Sequence, residues 1–408
     1  MAKSRQQPLE HRLLLTATFC LLAGGAVMVY SASSARTLLE GQGDGTAYLV
    51  KYLMYGAVGL AVMQLLARYG LEHVRRVTPI LLIGAFGLLV LVLVPGFGVN
   101  VNGATRWLGA GPLTFQPAEV MKLALVLHAA SVLSSRPKRA PSLRNVAGPI
   151  FLPGGCAVLL IAAQPDLGTA LVIGFTLAAM LVAAGLPLRQ LGLIAGGAAF
   201  LIMLFALLEP YRRDRLTAFL NPWDHAGTIG FQSVQGQIAI GSGGLFGVGP
   251  GQSVQKVFYL PEAHTDFILA VIGEELGVAG ICALLALYGM IGYAGLRTAK
   301  AAKGVYAKLL AAGLTSLILC RALLNIYTVL GLAPLTGVPL PFISSGSTSL
   351  ITLLMSMGLL LNVASGGSAH LRAVRPPPRG NADADRDRGG RDRGARGPGH
   401  RRGRRAAG

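Results

Sequence analysis

Charge is what this sequence has least of. Only 13% of its 408 residues are Asp, Glu, Lys or Arg, where soluble domains carry roughly 25%. With 53% hydrophobic residues and a mean hydropathy of +0.58, that shortage excludes a soluble globular chain. Cysteine is scarce as well. Cys20, Cys156, Cys282 and Cys320 fall far apart inside apolar runs, which excludes a metal-ligand spacing or a disulfide framework and predicts four small buried hydrophobes. No phosphate-binding loop and no dinucleotide glycine fingerprint is present, so nucleotide-driven transport has no engine here. The lack of an internal repeat argues against an inverted-repeat transporter. The apolar run Leu13–Val29 is not followed by a small-residue cleavage site and a soluble domain; it reads as a first transmembrane helix, not a secretion signal.

What is abundant is apolar sequence. A hydrocarbon core about 30 Å thick needs roughly 20 apolar residues per helix. Candidate spans lie at approximately 12–33, 48–68, 77–95, 117–135, 148–164, 166–186, 190–209, 267–294, 308–331 and 342–364. The expectation is an all-α integral membrane protein, a polytopic bundle of about ten transmembrane helices with a long extracytoplasmic loop, 210–266, between helices 7 and 8. Residues 1–11 form a cytoplasmic N-terminus, 12–365 the transmembrane domain and 366–408 a disordered cytoplasmic tail. Orientation rests on alternate connections rich in Lys and Arg, namely Arg68, Arg75 and Arg76, then Arg136 to Arg144, Arg189, and Arg297 to Lys308. The tail beyond Leu371 holds twelve Arg against four Asp. It suits anionic lipid heads better than nucleic acid.

Ionisable groups inside apolar spans are functional candidates by default. Glu119 and Lys122 stand three residues apart on one helix face, either neutralising each other or building a ligand site. Asp166 follows Gln164-Pro165 as an N-cap. Arg106 is suited to phosphate but on its own is a solvated loop charge. Asp266, in His264-Thr-Asp266, enters span eight as a general base, a metal ligand or a helix cap. Glu274 and Glu275, about two turns deeper, need partners, with Lys122 or an Arg the natural choice. The Pro334–Ser349 connection, rich in Pro, Gly and Ser, is expected to dip into the membrane as non-helical backbone.

Taken in order, Asn102-Gly-Ala-Thr-Arg-Trp, Phe115-Gln-Pro-Ala-Glu with Lys122, Ala163-Gln-Pro-Asp-Leu-Gly-Thr, Ala218-Phe-Leu-Asn-Pro-Trp, Ser253-Val-Gln-Lys, Leu260-Pro-Glu-Ala-His-Thr-Asp-Phe-Ile, Gly273-Glu-Glu-Leu-Gly and Gly337-Val-Pro-Leu-Pro-Phe-Ile-Ser resemble the SEDS family, the shape, elongation, division and sporulation proteins of bacteria. The motif flavour is FtsW-like more than RodA-like. The resemblance implies a multi-pass protein of the bacterial cytoplasmic membrane that polymerises lipid II into glycan strands on its outer face, at the division septum. A lipid II flippase without bond-forming chemistry is the alternative. It implies Asp266 as the catalytic residue and Arg106, Glu119, Lys122 and Asp166 as further functional positions. Gln116, Lys256, His264, Glu274 and Ser344, which lie inside the matching motifs, complete the expected substrate-binding set. The implied partners are a class B penicillin-binding protein supplying the transpeptidase and other divisome membrane proteins. A divalent cation, Mg or Mn, fits the chemistry, which calls for no nucleotide or organic cofactor.

Overall fold

A computed structural model describes residues 8–39, 45–101, 104–110, 113–135, 147–193, 196–197, 218–257, 260–261 and 263–366. The expected seventh span, Arg212, Arg213, Arg215, Glu262 and the Arg-rich tail lie wholly or largely outside these residues.

Seven described helices are long and apolar enough to cross a membrane. They are α1 (Leu9–Leu39), α2 (Ala47–Arg68), α3 (Leu71–Leu93), α4 (Pro117–Ser134), α8 (Ile268–Ala301), α9 (Val305–Val329) and α10 (Ser347–Ala364). Two shorter apolar helices, α5 (Leu152–Ala163) and α6 (Leu167–Ala183), are separated by the Gln164–Asp166 turn, and a π turn over Ala147–Phe151 leads into α5. Helix α7 (Phe231–Ser242) lies in the long connection before α8 and packs on it. Burial divides the spans into two classes. In α9 and α10, 78% of the most apolar window is inside the protein, and in α4 67%, against 22% for α2 and α3. The first three are the core and the last two the rim, where Leu65, Ile80 and Ile83 point outward as lipid-facing side chains do. Cys20, Cys156 and Cys282 are on that exterior too. The expectation of four buried cysteines is therefore corrected: a thiol is apolar enough to face lipid.

One element departs from an all-α reading. A three-stranded antiparallel sheet is formed by β1 (Gly98–Val101), β2 (Ala104–Ala110) and β3 (Leu113–Phe115). Val99 faces Trp107, and Leu108 faces Phe115. Short runs of β-branched and aromatic residues favour such pairing. Pro117 then opens α4, where its missing N–H costs nothing.

The connections sort to two ends of the bundle. At one end, Arg75 bonds Ser131 and Ser135 at the close of α4 and lies over the Tyr306 ring. Arg297 pairs with Glu10, and Asn362 donates to the carbonyls of Leu66 and Tyr69. At the other end, the sheet, the Gln164–Asp166 turn, Ala263–Phe267 and the Leu332–Gly346 segment meet. The alternation of basic connections anticipated this sorting.

The Leu332–Gly346 segment is irregular yet largely buried, with Leu340, Phe342 and Ser344 inside the protein. Its polar backbone is satisfied by side chains from the helices around it. Tyr288 Oη donates to Pro341 O at 2.6 Å, Tyr52 Oη to Phe342 O at 2.5 Å, and Asn325 Nδ2 to Val338 O at 2.8 Å. Non-helical backbone at membrane depth survives only with such partners.

Helix α8 is broken. Gly277 has φ +66° and ψ −163° inside it, and the turn Gly243–Gly249 inserts at the gap. Val248 N and Gly249 N donate to Glu274 O and Glu275 O, while Val278 N and Ala279 N donate to Gly244 O and Leu245 O. The two helical bonds lost at the break are thus replaced by four to the turn. A Cβ at residue 277 would sit 2.5 Å from Gly247 N, so only glycine fits there.

Candidate functional site

Asp266 is half-buried and stands one residue before Phe267, which is the N-cap of α8. The backbone of its turn is fixed by side chains and an amide from two elements, α9 and the Leu332–Gly346 segment. Asn325 Nδ2 donates to Asp266 O at 2.7 Å. Ser344 Oγ donates to Thr265 O at 2.6 Å and accepts from Leu340 N at 2.8 Å. Ser345 reaches His264 O through both its amide and its hydroxyl. The buried His264 ring lies 4.3 Å from Tyr48. Ser344 and His264 therefore hold the turn that carries Asp266.

Arg106, on β2, reaches the same place. Its Nε donates to Gln164 O at 3.1 Å and its Nη2 to Pro165 O. Gln116 Nε2 donates to Asp166 Oδ2 at 3.2 Å, and Asp166 Oδ1 accepts from Thr169 N at 3.1 Å, so the N-cap expected of Asp166 is present. The carboxylate and the guanidinium meet at Gly337. A point one Cβ from its backbone lies 3.3 Å from Asp266 Oδ2 and 4.0 Å from Arg106 Nη1. Gly337 has φ +64° and is exposed. An acid and a cation thus come together at a notch beside Gly337 that no side chain of the described residues fills.

Beneath the notch lies a second polar cluster, buried among α4, α9 and α10. Glu119 Oε1 takes Lys122 Nζ at 2.8 Å. Arg321 forks onto the same carboxylate, Nη1 to Oε2 at 2.7 Å and Nη2 to Oε1 at 3.2 Å. Thr352 Oγ1 lies 3.2 Å from Oε2, in reach also of the Thr348 and Ser349 carbonyls, and Arg321 Nη2 also donates to Ser349 Oγ at 2.6 Å.

A third cluster ties the long connection to the bundle. Lys256 Nζ donates to Glu275 Oε1 at 2.7 Å, Gly251 O at 2.8 Å and Ser31 Oγ at 3.0 Å. Glu274 accepts from Ser253 Oγ, from Val254 N at 2.9 Å and from Gln255 N at 3.4 Å. The expected partner of the two acids, Lys122 or an Arg, is corrected: the chain before α8 folds inward and brings Lys256 and its own amides. Lys256 and Glu274 accordingly lock this segment to the bundle. Among the described residues no group of three His, Cys, Asp or Glu side chains could hold a metal ion.

The FtsW/RodA/SpoVE family of cell cycle proteins matches residues 11–368. The chain belongs to this family. Stage V sporulation protein E of Bacillus subtilis (strain 168) is 40% identical over 355 residues, 86% of this chain and 96% of that protein. A probable peptidoglycan glycosyltransferase FtsW of Alkalilimnicola ehrlichii is 41% identical over 379 residues, 91% and 92% of the two chains. Among solved structures, a chain of a peptidoglycan synthase complex that coordinates polymerization and crosslinking superposes with a TM-score of 0.71 at 29% identity, covering 86% of this chain and 96% of that one. The rod shape determining protein RodA of Thermus thermophilus gives 0.62 at 30%, covering 86% and 95%. The protein is thus a multi-pass membrane protein of the FtsW/RodA/SpoVE family.

Sequence reasoning missed three parts of this family member's site. Arg321 and Asn325 are one helical turn apart in an apolar span, and the rule that singled out Glu119 applies to Arg321 equally. Ser349 and Thr352 carry no such signal, because hydroxyls are common in membrane helices. Ser31, which donates to Glu275 at 2.6 Å, is likewise silent in the sequence.

Proposed function

We propose that this protein, a peptidoglycan glycosyltransferase, lengthens glycan strands from lipid II with Asp266 as general base. The observation that carries the reading is the notch at Gly337, where the Asp266 carboxylate and the Arg106 guanidinium both come within 4.0 Å of one point. Asp266 takes the proton from the acceptor sugar's hydroxyl. The hydroxyl oxygen bonds to the donor's anomeric carbon, and the bond from that carbon to the pyrophosphate oxygen breaks. The lipid pyrophosphate departs with the electron pair, and fixed positive charge stabilises it. Arg106 is pre-oriented for this, because its bonds to the Gln164–Pro165 turn hold the fork in place. Gln116 and Asp166 fix that turn in turn.

A divalent cation would enter with the pyrophosphate. Magnesium retains waters and takes one or two carboxylates plus substrate phosphates, so it needs no cage of protein ligands. The notch end faces outward and both termini lie in the cytoplasm, supported by the basic residues gathered at the opposite end. The membrane is the bacterial cytoplasmic membrane and the site of action the division septum. A class B penicillin-binding protein is the partner, in keeping with the synthase complex among the structural neighbours, and other divisome membrane proteins join it. The Arg-rich tail binds anionic lipid.

Purified protein with its partner and lipid II tests the reading. Asp266→Asn is expected to lower strand formation by about 10²–10⁴-fold, the usual worth of a general base, without loss of folding or partner binding. A wild-type rate would remove Asp266 from that role. Labelled lipid crossing a vesicle bilayer without any product would favour a flippase.

A further inference from the structure

The Glu119 carboxylate is nearly filled. Lys122 and both Nη atoms of Arg321 donate to its two oxygens, three of the roughly four lone-pair sites a carboxylate offers, and the Thr352 hydroxyl lies 3.2 Å from Oε2 while also in reach of the Thr348 and Ser349 carbonyls. Glu119 is 3% exposed. A group so enclosed and gripped by two cations is poorly placed to take a proton or hold a sugar. The cations beside it are in the opposite condition. Lys122, 3% exposed, has three N–H donors and, among the described residues, one bonded partner, Glu119. Arg321, 1% exposed, has an Nε with no partner among the described residues. Buried donors left over are costly and call for an explanation.

Bundle packing does not supply it. A Glu119–Lys122 pair by itself would be neutral. Adding Arg321 puts two cations on one carboxylate at the centre of an apolar bundle, the most expensive place for surplus charge. The other groups that touch the cluster, Ser349 and Thr352, are uncharged. A further acid, Asp166 at the head of α6, is engaged elsewhere, its oxygens accepting from Thr169 N and Gln116 Nε2.

We propose that Arg321 is a positioning residue for glycosyl transfer: by offsetting the Glu119 charge from the α9 side, it leaves the cluster with net positive charge and Lys122 with two further N–H donors for the pyrophosphate of the lipid-linked sugar. The inference rests on the glycosyltransferase reading above. In it Glu119 is a bracket between two cations and not a substrate contact. Arg321 has the fork to grip both carboxylate oxygens at once, which a lysine at that place would lack.

The test is a binding measurement on the full-length protein, so that it stands apart from catalysis. The probes are geranylgeranyl pyrophosphate and geranylgeraniol, which share an apolar tail and differ in the anion. Wild type is expected to prefer the pyrophosphate. Arg321→Gln is expected to reduce that preference by about tenfold, as for loss of a charge-assisted contact. The double variant Glu119→Gln with Arg321→Gln restores a single uncompensated charge at Lys122 and is expected to regain the preference. It also decides the matter if the single variant fails to fold. A preference unchanged in Arg321→Gln, or absent from the double variant, would overturn the proposal. Failure of the glycosyltransferase reading would show elsewhere, as polymerisation that persists in Asp266→Asn.

Discussion

Lys256 Nζ lies 2.7 Å from Glu275 Oε1, with both side chains almost wholly enclosed. The pair joins the connection before α8 to α8 itself, and Ser31 brings in α1. Breaking one side of such a pair strands the other charge in an apolar setting, at a cost of about 3–5 kcal/mol. Lys256→Met is therefore expected to lower the thermal unfolding midpoint sharply in detergent. Lys256→Met with Glu275→Gln should recover most of the loss. A midpoint unmoved by the single change would show that the pair is not what holds this segment.

Gly337 offers a second measurement. With φ at +64° and its would-be Cβ 3.3 Å from Asp266 Oδ2, Gly337→Ala strains the backbone and intrudes on the notch. About 1 kcal/mol of stability is expected to go, together with most of the polymerisation. Gly84 and Gly289 have nothing within 4 Å of a built Cβ, and alanine at either is the control that should leave both properties intact. Full activity in Gly337→Ala would mean that substrate does not use the notch.

Chelation separates a metal carried by the substrate from one built into the fold. With no cluster of metal-ligating side chains among the described residues, removing divalent cations is expected to slow polymerisation and leave the unfolding midpoint where it was. A midpoint that falls with chelator would point to a structural site instead.

Much of the architecture was legible because the membrane imposes a length on every span, and Arg75 and Arg297 mark one end of the bundle while Arg106, Asp166 and Asp266 mark the other. The irregular course of the chain from Pro334 to Gly346 was legible too, from prolines and glycines that no helix would keep. The sheet over 98–115 was not, since three short strands give a weak alternation beside strong apolar runs. Arg321 was hidden by averaging: one cation hardly changes the hydropathy of a 25-residue helix. The partner of Glu275 was misassigned because nothing in a linear chain says that Lys256, in a connection expected to lie outside, turns back into the bundle. The break at Gly277 was equally silent, one glycine among 55.

That break has a property a proline kink lacks. Proline bends a helix from within, whatever surrounds it; here the interruption is imposed by the turn Gly243–Gly249 docked against it. Undocking the turn would leave four peptide groups bare in lipid, a penalty of several kcal/mol for each, and straightening α8 would be the cheapest relief. The pitch of the short segment Ile268–Leu276, and with it the aim of the acid at its head, is therefore set by a piece of chain some twenty residues upstream.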